Sequence, residues 1–550
     1  MAVVPPPPSA RAGITAAVVV SLGTSVVAGL GAGLGAGLGA GCGPRPAPSE
    51  PSWIERDASS SHAVARARDA GAAAGPGATP VVDVTRLRSG DAIDALDEAA
   101  ARAALDALGD RAPAGKVALR AARLAHHRGD DTQARDLLAR AARAADAAEV
   151  SAAAAALGAA LVTAAVDPSL IAVLLPLSGP YAGLGGELRA AIELAPAAGT
   201  RWLFLDTRGT ADGAAAAVDA AAGKGAIAIL GPVGQREAVA AARVAALHGL
   251  PIGLLAPADG ADPAAGVFRL VASSADEGRA VARLAAEDSF PTVAVLAPRD
   301  DIGRDAADAF AAEATRLGLQ VTARGSYDPT GGDVEADVKD FLGLVPARNP
   351  RLAAHLARHG KAGWTTFSPD VPYTLLYLPD RYDRAAIVAA YLPYYNVELR
   401  TTEAPDLYRL ARKHGGQIPQ VVQLVGGAGW HHSTLPVRGG AAVQGALILD
   451  DFAGELGGDL AVAFSEAFQQ RTRRAPSTAA AQVRDAAAIL AAARSQTAGT
   501  AAPRAALRAA LAHARLDDGA CGPAAIAPDG ELERVPSVLE VEGDALIVAP

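Results

Sequence analysis

Residue types that often reveal a chain's chemistry are scarce in this sequence. Its 550 residues include two cysteines, Cys42 and Cys521, and one methionine, and aromatic side chains make up only 4%. The two cysteines lie in segments of very different composition, which argues against a disulfide framework. Because alanine supplies much of the 51% hydrophobic content, we expect cores built from small side chains.

Cations are in the minority, with 50 Lys and Arg against 59 Asp and Glu, and the net charge is -9. Phosphate backbones need clustered cations, so nucleic acid is not an expected partner. No run of about 20 strongly apolar residues follows Cys42, so the mature chain is not expected to span a membrane. We find no P-loop, no Gly-x-Ser-x-Gly elbow and no zinc-binding spacing. An enzyme is therefore not expected, and neither is a cofactor or a metal.

Residues 1–42 have the composition of an export signal. Arg11 is followed by an apolar stretch from Ile14 to Leu30, and the segment ends in Leu38-Gly-Ala-Gly-Cys42. Small residues before a cysteine resemble a bacterial lipoprotein signal, although this leucine lies four residues before the cysteine and the usual spacing is three. We therefore expect a lipid on Cys42, with an ordinary secretory signal as the alternative. Residues 43–80 are rich in Pro, Ser, Ala and Gly, which predicts a flexible linker.

Residues 81–166 predict an all-α region. Apolar residues recur at helical spacing between Ile93 and Leu108, and two further helical patterns flank Gly129-Asp130. Helix, glycine turn and helix resemble a tetratricopeptide-type repeat. A plain helical bundle is the alternative.

Residues 167–550 predict an α/β domain with two lobes and parallel sheets. The five apolar residues 171–175 indicate a strand buried on both faces, and a small-residue loop and a helical pattern follow it. Similar units recur at 226–230 and 292–296, so two alternating series of strands and helices should enclose a cleft. We expect lobe 1 at about 167–285 and 452–515, and lobe 2 at about 286–451 and 516–550.

The order of these units is similar to that of type I periplasmic binding proteins, the fold of branched-chain amino-acid binding proteins. The resemblance rests on Gly231-Pro232, Ala256-Pro257, Pro298-Arg-Asp-Asp-Ile-Gly303 and Val425-Gly-Gly-Ala-Gly-Trp430. It implies a ligand site on the loops that face the cleft. The candidate residues are Ser178, Tyr181, Gly234, Gln235, Ala258, Asp259, Arg299, Asp301 and Trp430.

The loops after the third and the fourth strand depart from the amino-acid binding pattern. The family's serine is missing near Gly234 and Gln235, and its threonine is missing near Gly260. Asp259 would instead face a ligand carboxylate, and an unpaired buried charge costs on the order of several kcal/mol. Tight binding of free branched-chain amino acids is therefore not expected.

A fuller resemblance is to envelope lipoproteins that activate penicillin-binding proteins, which join a helical repeat region, a type I module and a lipid anchor. Asp276-Glu277, Pro298-Arg299 and an insertion at about 344–372 carry this resemblance. It implies a lipid-anchored periplasmic protein, at the outer membrane, whose partner is a penicillin-binding protein or another envelope protein. A small polar solute is a further candidate ligand.

The insertion is rich in Arg and His, and its cations Arg351, Arg358 and Lys361 are the candidate partner surface. His355 and His359 lie four residues apart, and we expect them on a solvated helix face. The alternative function is the substrate-binding protein of an ABC transporter for branched-chain amino acids or similar small solutes.

Overall fold

The computed structural model describes residues 82–87, 89–161, 165–197, 199–256, 260–330, 333–416 and 421–549. The predicted signal segment 1–42 with Cys42, the linker 43–80, and the cleft candidates Ala258 and Asp259 lie outside the described residues. Across the described ranges, no helix combines the length and the apolar content that crossing a bilayer requires.

The N-terminal part is helical, as the sequence predicts. Its helices are α1 (Gly90–Asp94), α2 (Glu98–Leu108), α3 (Ala114–His127), α4 (Asp131–Ala141) and α5 (Ala147–Ala160). Side-chain oxygens of Ser89, Asp97 and Asp130 accept hydrogen bonds from the first turns of α1, α2 and α4, which explains where these helices begin. Gly129 makes the turn between α3 and α4 at a φ of 86°, a conformation that suits glycine. The shared core is mainly alanine, leucine and valine.

The first lobe contains a five-stranded parallel sheet. Its strands are β1 (Asp167–Leu175), β2 (Arg201–Asp206), β3 (Ala226–Leu230), β4 (Ile252–Leu254) and β5 (Val267–Arg269), in the order β2-β1-β3-β4-β5. The helices α6 (Ala182–Glu193), α7 (Ala211–Gly223) and α8 (Gln235–Leu247) follow the first three strands. Ile171 and Val173 pack in the core on one face of the sheet, and Ala172 and Leu174 pack in the core on the other. This two-sided burial is why the strand is a continuous apolar run.

The second lobe is built on β6 (Thr292–Pro298), β7 (Gln320–Tyr327), β8 (Leu375–Tyr377), β9 (Gln423–Gly426) and β10 (Leu447–Asp450). These five strands are parallel and lie in the order β10-β9-β8-β6-β7. Its helices are α9 (Ser274–Glu287), α10 (Asp301–Arg316), α11 (Val334–Phe341), α12 (Pro350–His359), α13 (Gly363–Thr366), α14 (Tyr382–Tyr394), α15 (Ala404–Lys413) and α16 (Leu435–Gly439).

The C-terminal part returns to the first lobe and then to the second. Helices α17 (Asp459–Thr472), α18 (Thr478–Ser495) and α19 (Pro503–Leu511) precede a small antiparallel sheet of β11 (Arg515–Leu516), β12 (Ala524–Ile526) and β13 (Leu532–Arg534). The antiparallel strands β14 (Ser537–Glu542) and β15 (Ala545–Val548) then extend the second sheet beside β10. The result is an α/β architecture with parallel sheets, which confirms the predicted fold class.

Packing places two segments in the lobe opposite to the one expected from the sequence. The expected lobe 1 includes most of α9, yet Val281, Ala282 and Ala285 pack in the core of the second sheet. The expected lobe 2 includes residues 516–534, yet Ile526 and Leu532 pack in the core of the first sheet. Both segments lie next to a passage between the lobes, where local periodicity carries no information about the partner sheet.

The helical region packs against the first lobe through the end of α3. The ring nitrogens of His127 lie 2.6 Å from the carbonyl oxygen of Ala246 and 3.2 Å from that of Ala264. Burial lowers the pKa of His127 to about 4, and the two carbonyl oxygens act in the opposite direction.

Candidate functional site

A cavity of about 1280 Å³ lies where the chain passes between the two lobes. Within the described residues these passages are three: before α9, after β10, and between β13 and β14. Each passage contributes polar side chains to the cavity, as do the loops after β3 and β6. Carboxyl ends of parallel strands are where ligands bind in open α/β sheets, so this cavity is the candidate site.

The first passage is held to lobe 1 by a buried guanidinium. Arg269, whose side chain is 1% exposed, pairs with Asp276 at 2.7 Å and with Glu531. Asp276 also closes a capping box with Ser273 at the start of α9. Burial opposes the ionisation of Asp276, but attraction from Arg269 outweighs it and lowers the pKa of Asp276 to about 2.

Glu277, the next residue of α9, points toward lobe 2. Its carboxyl accepts hydrogen bonds from the hydroxyl of Tyr377 at 2.6 Å and from the backbone N–H of Ala428 at 2.9 Å. A side chain at Gly427 would collide with this carboxyl, because a Cβ there would lie 1.8 Å from its carbon. Burial raises the pKa of Glu277 to about 7, and the two hydrogen bonds only partly offset that effect. The carboxyl can therefore take up a proton near neutral pH.

The second passage carries two adjacent carboxylates. Asp450 accepts from the hydroxyl of Thr478 at 3.0 Å and from the N–H of Phe452 at 3.1 Å, and it contacts His431 at 2.6 Å. Asp451 lines the cavity and accepts from the side-chain amide of Gln482 at 2.7 Å. Burial raises the pKa of Asp451, while Arg534 acts in the opposite direction.

The third passage begins with Arg534, which also lines the cavity. Its side chain is 3% exposed, and its Nη2 donates to Asp485 at 3.1 Å. Its Nη1 lies 3.9 Å from Asp451, which is beyond hydrogen-bond distance. Asp485 is itself fully buried and also pairs with Arg484 at 2.9 Å. The second and third passages therefore meet in one buried polar cluster, of which Asp451 and Arg534 line the cavity.

Only some of the predicted cleft residues lie at this cavity. Gln235 and Asp301 line it. Three other candidates are not among the lining residues. Gly234 is the N-cap of α8, and the hydroxyl of Ser178 donates to the carboxylate of Asp206 at 2.5 Å. Tyr181 lies at the start of α6 and is 59% exposed.

Two further candidates have structural partners. Arg299 forms an ion pair with Asp337. Trp430 is fully buried, and its indole N–H donates to the carbonyl of Leu378 at 3.0 Å, so it belongs to the core of lobe 2.

Sequence reasoning did not single out Arg534, Asp451 or Gln482 as site residues, and it used Glu277 only as part of a resemblance. These residues come from passages that are far apart in the chain. A usable signal was the presence of charged residues directly at the ends of predicted strands, as in Asp450-Asp451 at the end of β10. The carboxyl ends of parallel strands lie near the cleft, and of this pair Asp451 lines the cavity.

The candidate partner surface lies on α12 and the turn that follows it. Arg351, Arg358 and Lys361 are all exposed there. The rings of His355 and His359 lie 4.3 Å apart, and His355 contacts the hydroxyl of Thr366 at 3.0 Å. The described part of the chain contains no group of three His, Cys, Asp or Glu side chains placed to hold a metal ion.

Comparison with known proteins agrees with this architecture. Residues 168–342 and 399–545, more than half of the chain, match the periplasmic binding protein family. A putative branched-chain amino acid ABC transporter protein from Rhodospirillum rubrum is 22% identical, with a TM-score of 0.52 over 70% of this chain and 100% of that chain. An ABC transporter substrate-binding protein from Sphaerobacter thermophilus is 16% identical, with a TM-score of 0.51 over 70% of this chain and 97% of that chain.

A leucine-binding protein from Thermotoga maritima is 21% identical, with a TM-score of 0.45 over 69% of this chain and 97% of that chain. No curated protein matches the sequence. The family match confirms the predicted type I periplasmic-binding-protein fold for the α/β domain.

Proposed function

The chain belongs to the periplasmic binding protein family, and we propose that it is a cell-envelope protein that binds a small solute between its lobes. The observation that supports this best is the cavity of about 1280 Å³ with polar side chains from all three passages. A ligand there would contact both lobes at once, so binding would favour their closure. The proposed role is that of a solute-binding component for an ABC transporter.

The test is a ligand screen on the full chain. Amino acids, small amides, carboxylates and sugars are examined by thermal shift, and each hit is confirmed by calorimetry. A hit should also reduce the radius of gyration in X-ray scattering. Ala479 lines the cavity and is exposed, so Ala479→Trp should abolish binding. Ala354, exposed on α12, supplies the control Ala354→Trp, which should bind as the wild type does. Hits that survive Ala479→Trp would contradict binding in this cavity.

Membrane attachment through Cys42 is part of the proposal. It is supported by the apolar segment that ends in small residues before this cysteine. Without the lipid, an anionic chain has no attraction to anionic membranes. The Cys42→Ala variant should therefore be found in the soluble fraction and not with the membranes. Retention of the variant with membranes would contradict a lipid anchor, and separation of the two membranes would test the proposed outer-membrane location.

A second candidate function is activation of a penicillin-binding protein. Two observations favour it: the helical region packed on lobe 1, and the exposed cations Arg351, Arg358 and Lys361 on lobe 2. Such cations can steer a protein toward an acidic partner surface. The test is a crosslinked pull-down of envelope proteins with the wild type and with the three cations changed to Glu. Recovery of a penicillin-binding protein only by the wild type would support activation, whereas recovery of a permease by both would support transport.

A further inference from the structure

The cavity between the lobes is lined by many more carboxyl groups than cations. Its three lining cations are Arg283, Arg515 and Arg534. Its eight lining carboxyl side chains are Asp276, Glu277, Asp300, Asp301, Asp305, Asp451, Asp517 and Glu533. They come from both lobes and from the passages between them. A cleft lined by one sign of charge concentrates ions of the opposite sign, so the lining favours a positively charged ligand.

Ion pairs with residues outside the lining do not remove this excess, because they involve two lining carboxyls and two lining cations. These pairs are Asp276 with Arg269, Asp301 with Arg304, Arg283 with Glu313, and Arg534 with Asp485. Four lining carboxyls form no ion pair within the described ranges, namely Glu277, Asp300, Asp517 and Glu533. Within the same ranges, Arg515 is the lining cation without an ion pair. The carboxyls therefore still outnumber the cations after the pairs are counted.

Asp451 offers an open hydrogen-bond acceptor to the cavity. Its side chain is 11% exposed, and its Oδ2 accepts from Gln482 at 2.7 Å. Its Oδ1 accepts no hydrogen bond from a described residue, and this atom is not shut off from solvent. An ionised carboxylate only accepts hydrogen bonds, so a ligand group at this position has to be a donor.

Exposed apolar side chains stand beside the lining carboxyls. Ile302 follows Asp301 and is 68% exposed, and Val535 lies two residues after Glu533 and is 85% exposed. Both line the cavity, and apolar groups in a cleft gain free energy when a ligand covers them. A hydrated metal ion would not cover them. The lining therefore favours an organic cation with an apolar body.

We propose that the cavity binds an organic cation, whose ammonium group donates to Asp451 among the lining carboxyls and whose apolar body covers Ile302 and Val535. This inference depends on the proposed solute-binding function and adds the class of the solute. The bound cation also reduces the repulsion between carboxyls on opposite lobes, such as Asp300 and Glu533, and so favours closure of the lobes.

The experiment is calorimetry of the full chain with three probes of nearly the same size and shape: phenethylamine, 2-phenylethanol and phenylacetate. Phenethylamine should bind at least about tenfold more tightly than 2-phenylethanol, because only the amine carries a positive charge near neutral pH. Phenylacetate should bind more weakly than the alcohol. Raising the salt concentration from about 0.05 M to about 0.5 M should weaken the binding of phenethylamine and leave that of 2-phenylethanol unchanged.

Variants test whether the lining carboxyls cause this preference. Asp517 and Glu533 are exposed, so Asp517→Asn/Glu533→Gln should fold, and it should weaken phenethylamine binding by at least about fivefold. Asp451→Asn should weaken it by about tenfold or more, since a hydrogen bond between charged groups is lost. The control Asp106→Asn/Glu466→Gln also removes two exposed charges, but neither residue lines the cavity, so its affinity for phenethylamine should match the wild type.

The outcomes separate the class of solute from solute binding itself. Equal or tighter wild-type binding of 2-phenylethanol or phenylacetate would overturn the cation assignment and leave solute binding intact. An unchanged affinity for phenethylamine in Asp517→Asn/Glu533→Gln would do the same, and so would failure of phenethylamine to bind. The solute-binding function falls only if the wider ligand screen, with amines added, yields no ligand.

Discussion

Two adjacent carboxyl groups at the start of α9 differ in whether a cation faces them. Asp276 contacts the buried guanidinium of Arg269 in lobe 1, and its pKa falls to about 2 although burial acts against ionisation. Glu277 meets only a hydroxyl and a backbone N–H in lobe 2, and burial raises its pKa to about 7. The first turn of α9 therefore contacts lobe 1 through the ion pair of Asp276. It contacts lobe 2 through hydrogen bonds to Glu277, whose carboxyl can be neutral near pH 7.

Removing the cation should have the largest effect on this contrast. Arg269→Met leaves Asp276 and Glu531 without their shared buried partner. We expect the free energy of unfolding to fall by about 3–5 kcal/mol, measured by urea denaturation. Arg304→Met, which breaks an exposed pair with Asp301, should cost at most about 1 kcal/mol. Equal losses in the two variants would show that the Arg269 cluster is no stronger than a surface pair.

Crowding Glu277 should have the next largest effect. The added methyl of Gly427→Ala would collide with the carboxyl of Glu277, and we expect a loss of about 1–3 kcal/mol in the free energy of unfolding. The double variant Gly427→Ala/Glu277→Ala should recover part of this loss, since the collision is then absent. Gly186→Ala, which meets no atom within 4 Å, is the matched control and should not destabilise. Additive losses in the double variant would contradict a direct contact.

Neutralising Glu277 should reveal its raised pKa. The folded state binds a proton on Glu277 more tightly than the unfolded state does. The stabilisation that this proton provides is fully present below about pH 4.5 and is lost as pH rises through about 7. Glu277→Gln should therefore stabilise the protein on the order of 2 kcal/mol at pH 8 and change little at pH 4.

Asp276→Asn should show the opposite dependence. The pKa of Asp276 is lowered to about 2, so its stabilisation is present above about pH 3.8 and fades as pH falls toward 2. Unfolding free energies of both variants from about pH 2 to about pH 8 test the pair. Parallel profiles would contradict the difference between the two carboxyl groups.

An exposed ion pair marks the lower end of the scale. Arg102 and Glu98 lie 3.1 Å apart on α2, four residues from each other, and both side chains are solvent-accessible. Arg102→Ala should change the free energy of unfolding by about 0.5 kcal/mol or less, and 1 M salt should remove the difference. A loss above about 1 kcal/mol that does not depend on salt would contradict the prediction that this exposed ion pair contributes less stability than the buried pairs of Arg269.

Much of the fold was predictable from local pattern. The apolar run 171–175 and the helical spacing after it identify β1 and α6, because burial on both faces leaves no polar position in the strand. The family resemblance also led to Gln235 and Asp301, which line the cavity. It failed for Trp430, because a loop position does not reveal whether a side chain turns outward or back into the core.

By itself the sequence determined the type of the main strands and helices, since these follow from periodicity within about 20 residues, and the order of these units with their motifs carried the family resemblance. Only the tertiary structure decided which polar groups meet. Glu277 and Ala428 are 151 positions apart, and Asp485 and Arg534 are 49 apart. Hydrogen bonding and electrostatic attraction depend on distances of a few ångströms in space, and no local pattern encodes a distance between residues so remote in the chain.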